Sequence, residues 1–137
     1  MRLQIETSSL FKQNLNATDS IVVNQGGSRS GKTYSILQVL IIKAHQSTGK
    51  TYTIARKTLK SLRSTAMRDF FDILQKAEMY DESAHNKSDN IYLINGNRFE
   101  FMGMDDPQKK RGAKRHILFC NEANELSKED FLQLELR

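Results

Sequence analysis

The chain has 137 residues, 38% of them hydrophobic, and a mean hydropathy of -0.59, so it can bury one modest core and is too short for a multidomain machine. Its 21 Lys and Arg against 16 Asp and Glu leave a net charge of +5, which suits a polyanionic partner without demanding one. Residues 36–42, the longest apolar stretch, are broken by Gln38 and fall far short of the roughly 20 needed to span a bilayer, so no membrane span is expected. Residues 1–10 lack the continuous apolar core of a secretory signal. The single Cys120 excludes intrachain disulfides and multi-cysteine zinc sites, and fits a reducing compartment.

Taken in chain order, residues 21–25 (Ile-Val-Val-Asn-Gln) are a β-branched run ending at the Gly26-Gly27 breaker, which predicts a strand. Residues 32–46 place Tyr34, Leu37, Leu40 and Ile41 at helical spacing, with Gly49 as the stop. Residues 51–55 (Thr-Tyr-Thr-Ile-Ala) predict a second strand. Across 58–77, Leu59, Leu62, Ala66, Phe70, Ile73, Leu74 and Ala77 keep a helical period while Lys57, Lys60, Arg63 and Arg68 fall mostly off it, predicting one amphipathic helix with a basic start. Residues 81–90 are polar and read as a loop. Residues 91–94 and 98–102 flank Asn95-Gly96-Asn97, a hairpin signal. A charged loop over 105–115 then leads into residues 116–120 (His-Ile-Leu-Phe-Cys), an apolar run typical of a buried parallel strand, in which Cys120 is a small hydrophobe. The segment 127–137 opens like a capped helix and stops without a closing Gly, Asn or Pro, which suggests a truncated domain. Strands alternating with helices predict an α/β fold with a mostly parallel sheet, in which ligands bind beyond the carboxyl ends of the strands.

Two strand ends carry chemistry. Gly26-Gly27-Ser28-Arg29-Ser30-Gly31-Lys32-Thr33 matches the P-loop pattern between a predicted strand and a predicted helix. Glycines allow the backbone N–H groups to surround phosphates, and the helix start adds its positive dipole end. In such a loop Lys32 reaches the β- and γ-phosphates and the Thr33 hydroxyl ligates Mg²⁺. The run 116–120 continues into Asn121-Glu122, where this class of site usually has Asp before the glutamate. The Asn121 carbonyl can accept from a Mg²⁺-bound water but brings no charge. One lost charge about 4 Å from the cation is worth a few kcal/mol at an effective dielectric of about 20. Glu122 is in place to orient and deprotonate an attacking water, which marks a hydrolase rather than a kinase.

The loop 26–33, the strand exit 51–57 (Thr-Tyr-Thr-Ile-Ala-Arg-Lys), the segment 101–112 and the segment 117–126 (Ile-Leu-Phe-Cys-Asn-Glu-Ala-Asn-Glu-Leu) together resemble the large terminase subunit of tailed double-stranded DNA phages. The resemblance implies a RecA-like P-loop NTPase with an extra strand and a catalytic glutamate, using ATP and Mg²⁺. It implies that residues 1–137 are the N-terminal part of the ATPase domain, with the nuclease domain beyond them. Lys32, Thr33, Asn121 and Glu122 match the family's nucleotide-site residues. Arg111, in Arg111-Gly112, matches a candidate finger for the nucleotide of a neighbouring subunit, ahead of Arg29 in the loop. The implied partners are double-stranded DNA, the portal protein, the small terminase subunit and further copies in a ring on the procapsid, in the cytoplasm of the bacterial host. The alternatives are a nucleotide-binding module with weak or no hydrolysis and another RecA-like ATPase such as a helicase. Arg56, Lys57, Lys60, Arg63 and Arg68, with Lys109, Lys110, Arg111, Lys114 and Arg115, form two basic clusters suited to salt-sensitive, sequence-independent phosphate contacts, or to an ordinary solvated face.

Overall fold

A computed structural model describes residues 20–24, 31–106 and 115–135. Among them a single sheet of six strands forms the framework. Strand β1 (Ser20–Asn24) is followed by helix α1 (Lys32–His45), β2 (Thr51–Arg56), α2 (Leu59–Arg63) and α3 (Ala66–Lys76). A short 3-10 turn (Glu82–Ala84) and β3 (His85–Asn86) lead into the hairpin of β4 (Ile91–Ile94) and β5 (Asn97–Gly103). Strand β6 (Ile117–Asn121), a 3-10 turn (Ala123–Glu125) and α4 (Lys128–Glu135) complete the order. The strands lie side by side as β1-β6-β2-β5-β4-β3, with β1, β6, β2 and β5 parallel and β4 and β3 antiparallel. The expected α/β fold with a mostly parallel sheet is the one observed.

The sheet is covered on both faces, which is why β6 reads as an unbroken apolar run. Successive side chains in a strand point to opposite faces. Ile117 and Phe119 therefore join Tyr52, Ile54, Phe99 and Phe101 under α1, α2 and α3, where Leu37, Leu40, Leu62, Phe70 and Leu74 pack. Leu118 and Cys120 face the other way with Ala55 and Met102, beneath Leu126, Phe131 and Leu134 of the α4 segment. Burial of Cys120 is as expected from its place in the strand.

Three sequence expectations change. The helix predicted over 58–77 is two helices, α2 and α3, broken at Ser64 and Thr65. The apolar period runs through the break because both helices face the same core. The backbone breaks because the Ser64 and Thr65 hydroxyls both bond back to Ser61 O, at 3.1 and 2.6 Å, offering the chain an alternative to the helical ladder. Ala77 lies beyond α3 and is exposed. The polar segment 81–90 carries the 3-10 turn and β3, held by the His85 ring stacked on Phe71 at 4.3 Å and bonded to Tyr80 Oη at 2.8 Å. The hairpin is tighter than expected: Ile94 pairs with Asn97, so the loop is Asn95-Gly96 alone. Both loop residues have positive φ, 51° and 78°, the conformation a two-residue turn of this hand requires.

Arg115, expected in a basic surface cluster, is fully buried and donates to Leu134 O at 3.0 Å, fastening α4 to the sheet. At α4 the capped start appears as expected. The Ser127 hydroxyl accepts from Asp130 N at 3.1 Å and Asp130 Oδ2 accepts from Ser127 N at 3.0 Å.

Candidate functional site

The register of the parallel strands aligns the ends that hold the candidate site residues. Asn24, the last residue of β1, pairs with Asn121, the last of β6. On the other side of β6, Ala55 pairs with Cys120, so Arg56 at the end of β2 reaches the same level. The carboxyl ends of three strands thus form one rim, and α1 begins beside it.

Gly31 precedes α1 with φ 80° and ψ 5°, a left-handed conformation that a side chain disfavours. Its carbonyl accepts from Ser35 N at 3.0 Å, opening the helix. Lys32 is exposed at the helix start, whereas Thr33 is buried. Thr33 Oγ1 donates to Asn121 Oδ1 across 3.4 Å, joining residues 88 positions apart in sequence. Residues Gly26, Gly27, Ser28, Arg29 and Ser30 lie outside the described residues, as do Arg111 and Gly112.

Glu122 follows Asn121 and is buried at 9% exposure. Its φ and ψ are both 54°, so a residue with a full side chain occupies the left-handed region at the end of a strand. That conformation costs about 1 kcal/mol for a non-glycine residue, and such strain gathers at functional sites. The surrounding contacts hold it. Glu122 O accepts from Glu125 N at 3.0 Å, and Glu125 receives a two-pronged pair from Arg56, Nε to Oε1 at 3.0 Å and Nη2 to Oε2 at 3.2 Å.

Sequence patterning does not reveal the role of Arg56, which it groups with Lys57 as a basic helix start. Both instead tie the exit of β2 to the segment after β6. Lys57 Nζ pairs with Asp130 Oδ2 at 2.8 Å, and the Asp130 hydrogen bond and charge raise the Lys57 pKa. Burial acts to raise the Asp130 carboxyl, but the Lys57 hydrogen bond, the Ser127 N–H and the Lys57 charge outweigh it and hold its pKa below the usual carboxylate value. Arg56 Nη1 also donates to Thr65 Oγ1 at 2.9 Å, a contact that periodicity does not announce. Its signal is two adjacent hydroxyl residues inside an otherwise regular helical pattern. Of the two basic clusters, Lys60, Arg63 and Arg68 are exposed, while Lys109, Lys110 and Lys114 fall outside the described residues. Arg63 and Arg68 line an open pocket with Phe71, His85 and Lys87, which includes none of the expected nucleotide-site residues.

Among the described residues no group of three or more His, Cys, Asp or Glu side chains could hold a metal ion alone. The Thr33 hydroxyl beside the Asn121 carbonyl is a sparse, neutral oxygen set. It fits Mg²⁺, which takes one or two protein oxygens and draws its remaining ligands from phosphates and water.

Parallel strands β1 and β6 side by side, with Thr33 at the start of α1 meeting the end of β6, make an α/β arrangement of the kind the sequence pattern led to. The family model for the phage terminase large subunit matches residues 18–137, and the chain belongs to that family. No curated protein sequence matches it. Among solved structures, the large terminase of a thermophilic bacteriophage is similar, with a TM-score of 0.68 at 19% identity over 92% of this chain. The same phage enzyme in complex with ADP gives 0.64 at 18% identity, again over 92% of the chain. The chain covers 33% and 32% of those two structures, about a third of their length. No helix among the described residues is long and apolar enough to cross a membrane.

Proposed function

We propose that this chain binds MgATP and hydrolyses it as part of the motor that drives double-stranded DNA into phage procapsids. The observation that carries the reading is the convergence of Thr33 on Asn121 at 3.4 Å, with the strained, buried Glu122 next in sequence. The ADP complex of the similar phage terminase supports nucleotide as the ligand.

In this reading the backbone of residues 26–31 cradles the phosphates and Lys32 contacts the β- and γ-phosphates. Thr33 and Asn121 are the residues that would hold Mg²⁺. Bound there, the ion would neutralise charge on the β- and γ-oxygens. The Glu122 carboxylate takes a proton from water as the water oxygen bonds to the γ-phosphorus and the bond to the bridging oxygen breaks, releasing ADP and phosphate. Arg111 of one copy serves the nucleotide of the next in a ring. Portal protein, the small terminase subunit and duplex DNA are the partners, in the host cytoplasm.

The test pairs binding with turnover. Lys32→Ala should weaken ATP binding about 10- to 100-fold, the range for losing a charge-assisted contact. Glu122→Gln should keep binding and slow phosphate release by about 10² to 10⁴. Equal binding by Lys32→Ala, or undiminished turnover in Glu122→Gln, would refute the assignment. The neutral Asn121 favours a second reading, a nucleotide-binding module without turnover. Its signature is wild-type binding without phosphate release.

A further inference from the structure

Asn121 has both ends of its side-chain amide engaged, and the two ends lead to different helices. Its Oδ1 accepts from Thr33, while its Nδ2 donates to Thr65 Oγ1 at 3.4 Å, at the break between α2 and α3. The single proton of the Thr65 hydroxyl is committed to Ser61 O at 2.6 Å. Thr65 Oγ1 therefore presents only lone pairs to its other neighbours, and it also accepts from Arg56 Nη1 at 2.9 Å. Whatever stands at position 121 must donate toward Thr65. An amide can do so and an ionised carboxylate cannot. The same bookkeeping fixes the amide orientation, since a flipped amide would set Oδ1 against an oxygen with no proton to give.

The chain of contacts continues. Arg56 reaches Thr65 with one nitrogen and grips Glu125 with two others, and Glu125 N closes the turn on Glu122 O. Thr33, Asn121, Thr65, Arg56, Glu125 and Glu122 thus form one loop of hydrogen bonds, running from the Mg²⁺-side hydroxyl to the expected base. Thr65 sits in it at φ -128° and ψ -98°, outside helical values. While a Thr33 oxygen lone pair faces a cation, its proton remains free to stay on Asn121.

Resting on the nucleotide-site reading above, we infer that Thr65 and Arg56 are positioning residues that orient Asn121 and Glu122. The Asn121–Thr65 contact transmits nucleotide occupancy to the α2–α3 break, and Asn rather than Asp is required at 121 for that reason. Nucleotide binding then orders the Ser64–Thr65 break, and removing the Thr65 oxygen uncouples it.

The experiment measures amide hydrogen exchange over residues 59–76 with and without a non-hydrolysable ATP analogue and Mg²⁺, beside analogue affinity and phosphate-release kinetics. Wild type and Thr65→Ser should bind the analogue and gain protection across the break. Thr65→Val should bind it but lose that gain, with kcat about tenfold lower, the size of one hydrogen bond. Asn121→Asp should lose the protection gain as Thr65→Val does, and in the Thr65→Val background it should remove no further protection, because both act on the break through one contact. If Thr65→Val fails to fold by circular dichroism, Thr65→Ala removes the same oxygen and gives the same readout. Protection that persists in Thr65→Val or Thr65→Ala, or in Asn121→Asp, overturns the coupling alone. An Asn121→Asp chain with raised turnover overturns the stated need for Asn. A wild type that binds no analogue overturns the nucleotide-site reading and the coupling together.

Discussion

Asn97 tests how the hairpin is locked to helix α1. It is fully buried, and its amide nitrogen lies 2.7 Å from Ala44 O, 2.9 Å from Ser47 O and 3.0 Å from Ile94 O. Its Oδ1 accepts from Lys50 N at 3.0 Å. Two amide protons serve three carbonyls, so one bond is shared and the side chain makes about three full hydrogen bonds. They join the last turn of α1, the entry to β2 and the end of β4. Ser47 O keeps a second donor, Asn95 Nδ2 at 2.8 Å, so the loss on truncation falls mainly on Ala44 O, Ile94 O and Lys50 N. At about 1 kcal/mol net for each bond, and more where a buried group is stranded, Asn97→Ala should lose about 2–4 kcal/mol. That is a large fraction of the roughly 5–15 kcal/mol that holds a typical domain folded. Urea unfolding followed by circular dichroism should show a lower midpoint at unchanged slope. Asn97→Asp keeps the volume and the acceptor but turns a carboxylate toward three carbonyls, so it should fall at least as far as Ala. A loss below about 1 kcal/mol for Ala, or an Asp variant close to wild type, would show that packing rather than donation fixes this junction.

Gly103 ends β5 directly under the start of α2, and a Cβ there would collide with the backbone N and Cα of Leu59. Gly103→Ala should therefore cost about 1–3 kcal/mol by pushing α2 off the sheet, and a melting temperature equal to wild type would contradict this packing. Asp130 predicts a pH dependence. Its folded pKa lies below the ordinary value, so the folded chain binds that proton more weakly than the unfolded chain. The stabilisation is present above the unfolded pKa of about 3.9 and disappears as pH falls through the folded pKa. Asp130→Asn should be less stable than wild type at neutral pH, with the gap closing in acid; a gap of constant size in urea titrations at several pH values would exclude the carboxylate as its source.

Local pattern made β2, β6, α1 and the hairpin legible, because each announces itself within a few residues: a β-branched run, a glycine stop, an Asn-Gly turn. The pairing of Thr33 with Asn121 was legible only as a motif expectation, since nothing in the intervening residues specifies the register that aligns Asn24 with Asn121. The break at Thr65 was not legible by periodicity, because two helices packed on one core keep the same apolar spacing as a single helix. Charge counting misplaced Arg115, since a guanidinium with a carbonyl acceptor can be buried under a helix that composition does not reveal.

By itself, the sequence determined the chemistry available: a glycine-containing loop ending in Lys32 and Thr33, a buried strand ending in Asn121-Glu122, and a family resemblance that the match over residues 18–137 bears out. The tertiary structure decided how those groups are held. It placed the carboxyl ends of β1, β6 and β2 on one rim, put Glu122 in a left-handed conformation, and turned Arg56 from an apparent surface charge into the clamp between Thr65 and Glu125. Composition and spacing act over a few residues, whereas the hydrogen bonds that orient Asn121 join positions 56 and 88 residues apart, and only the packed sheet brings them within reach.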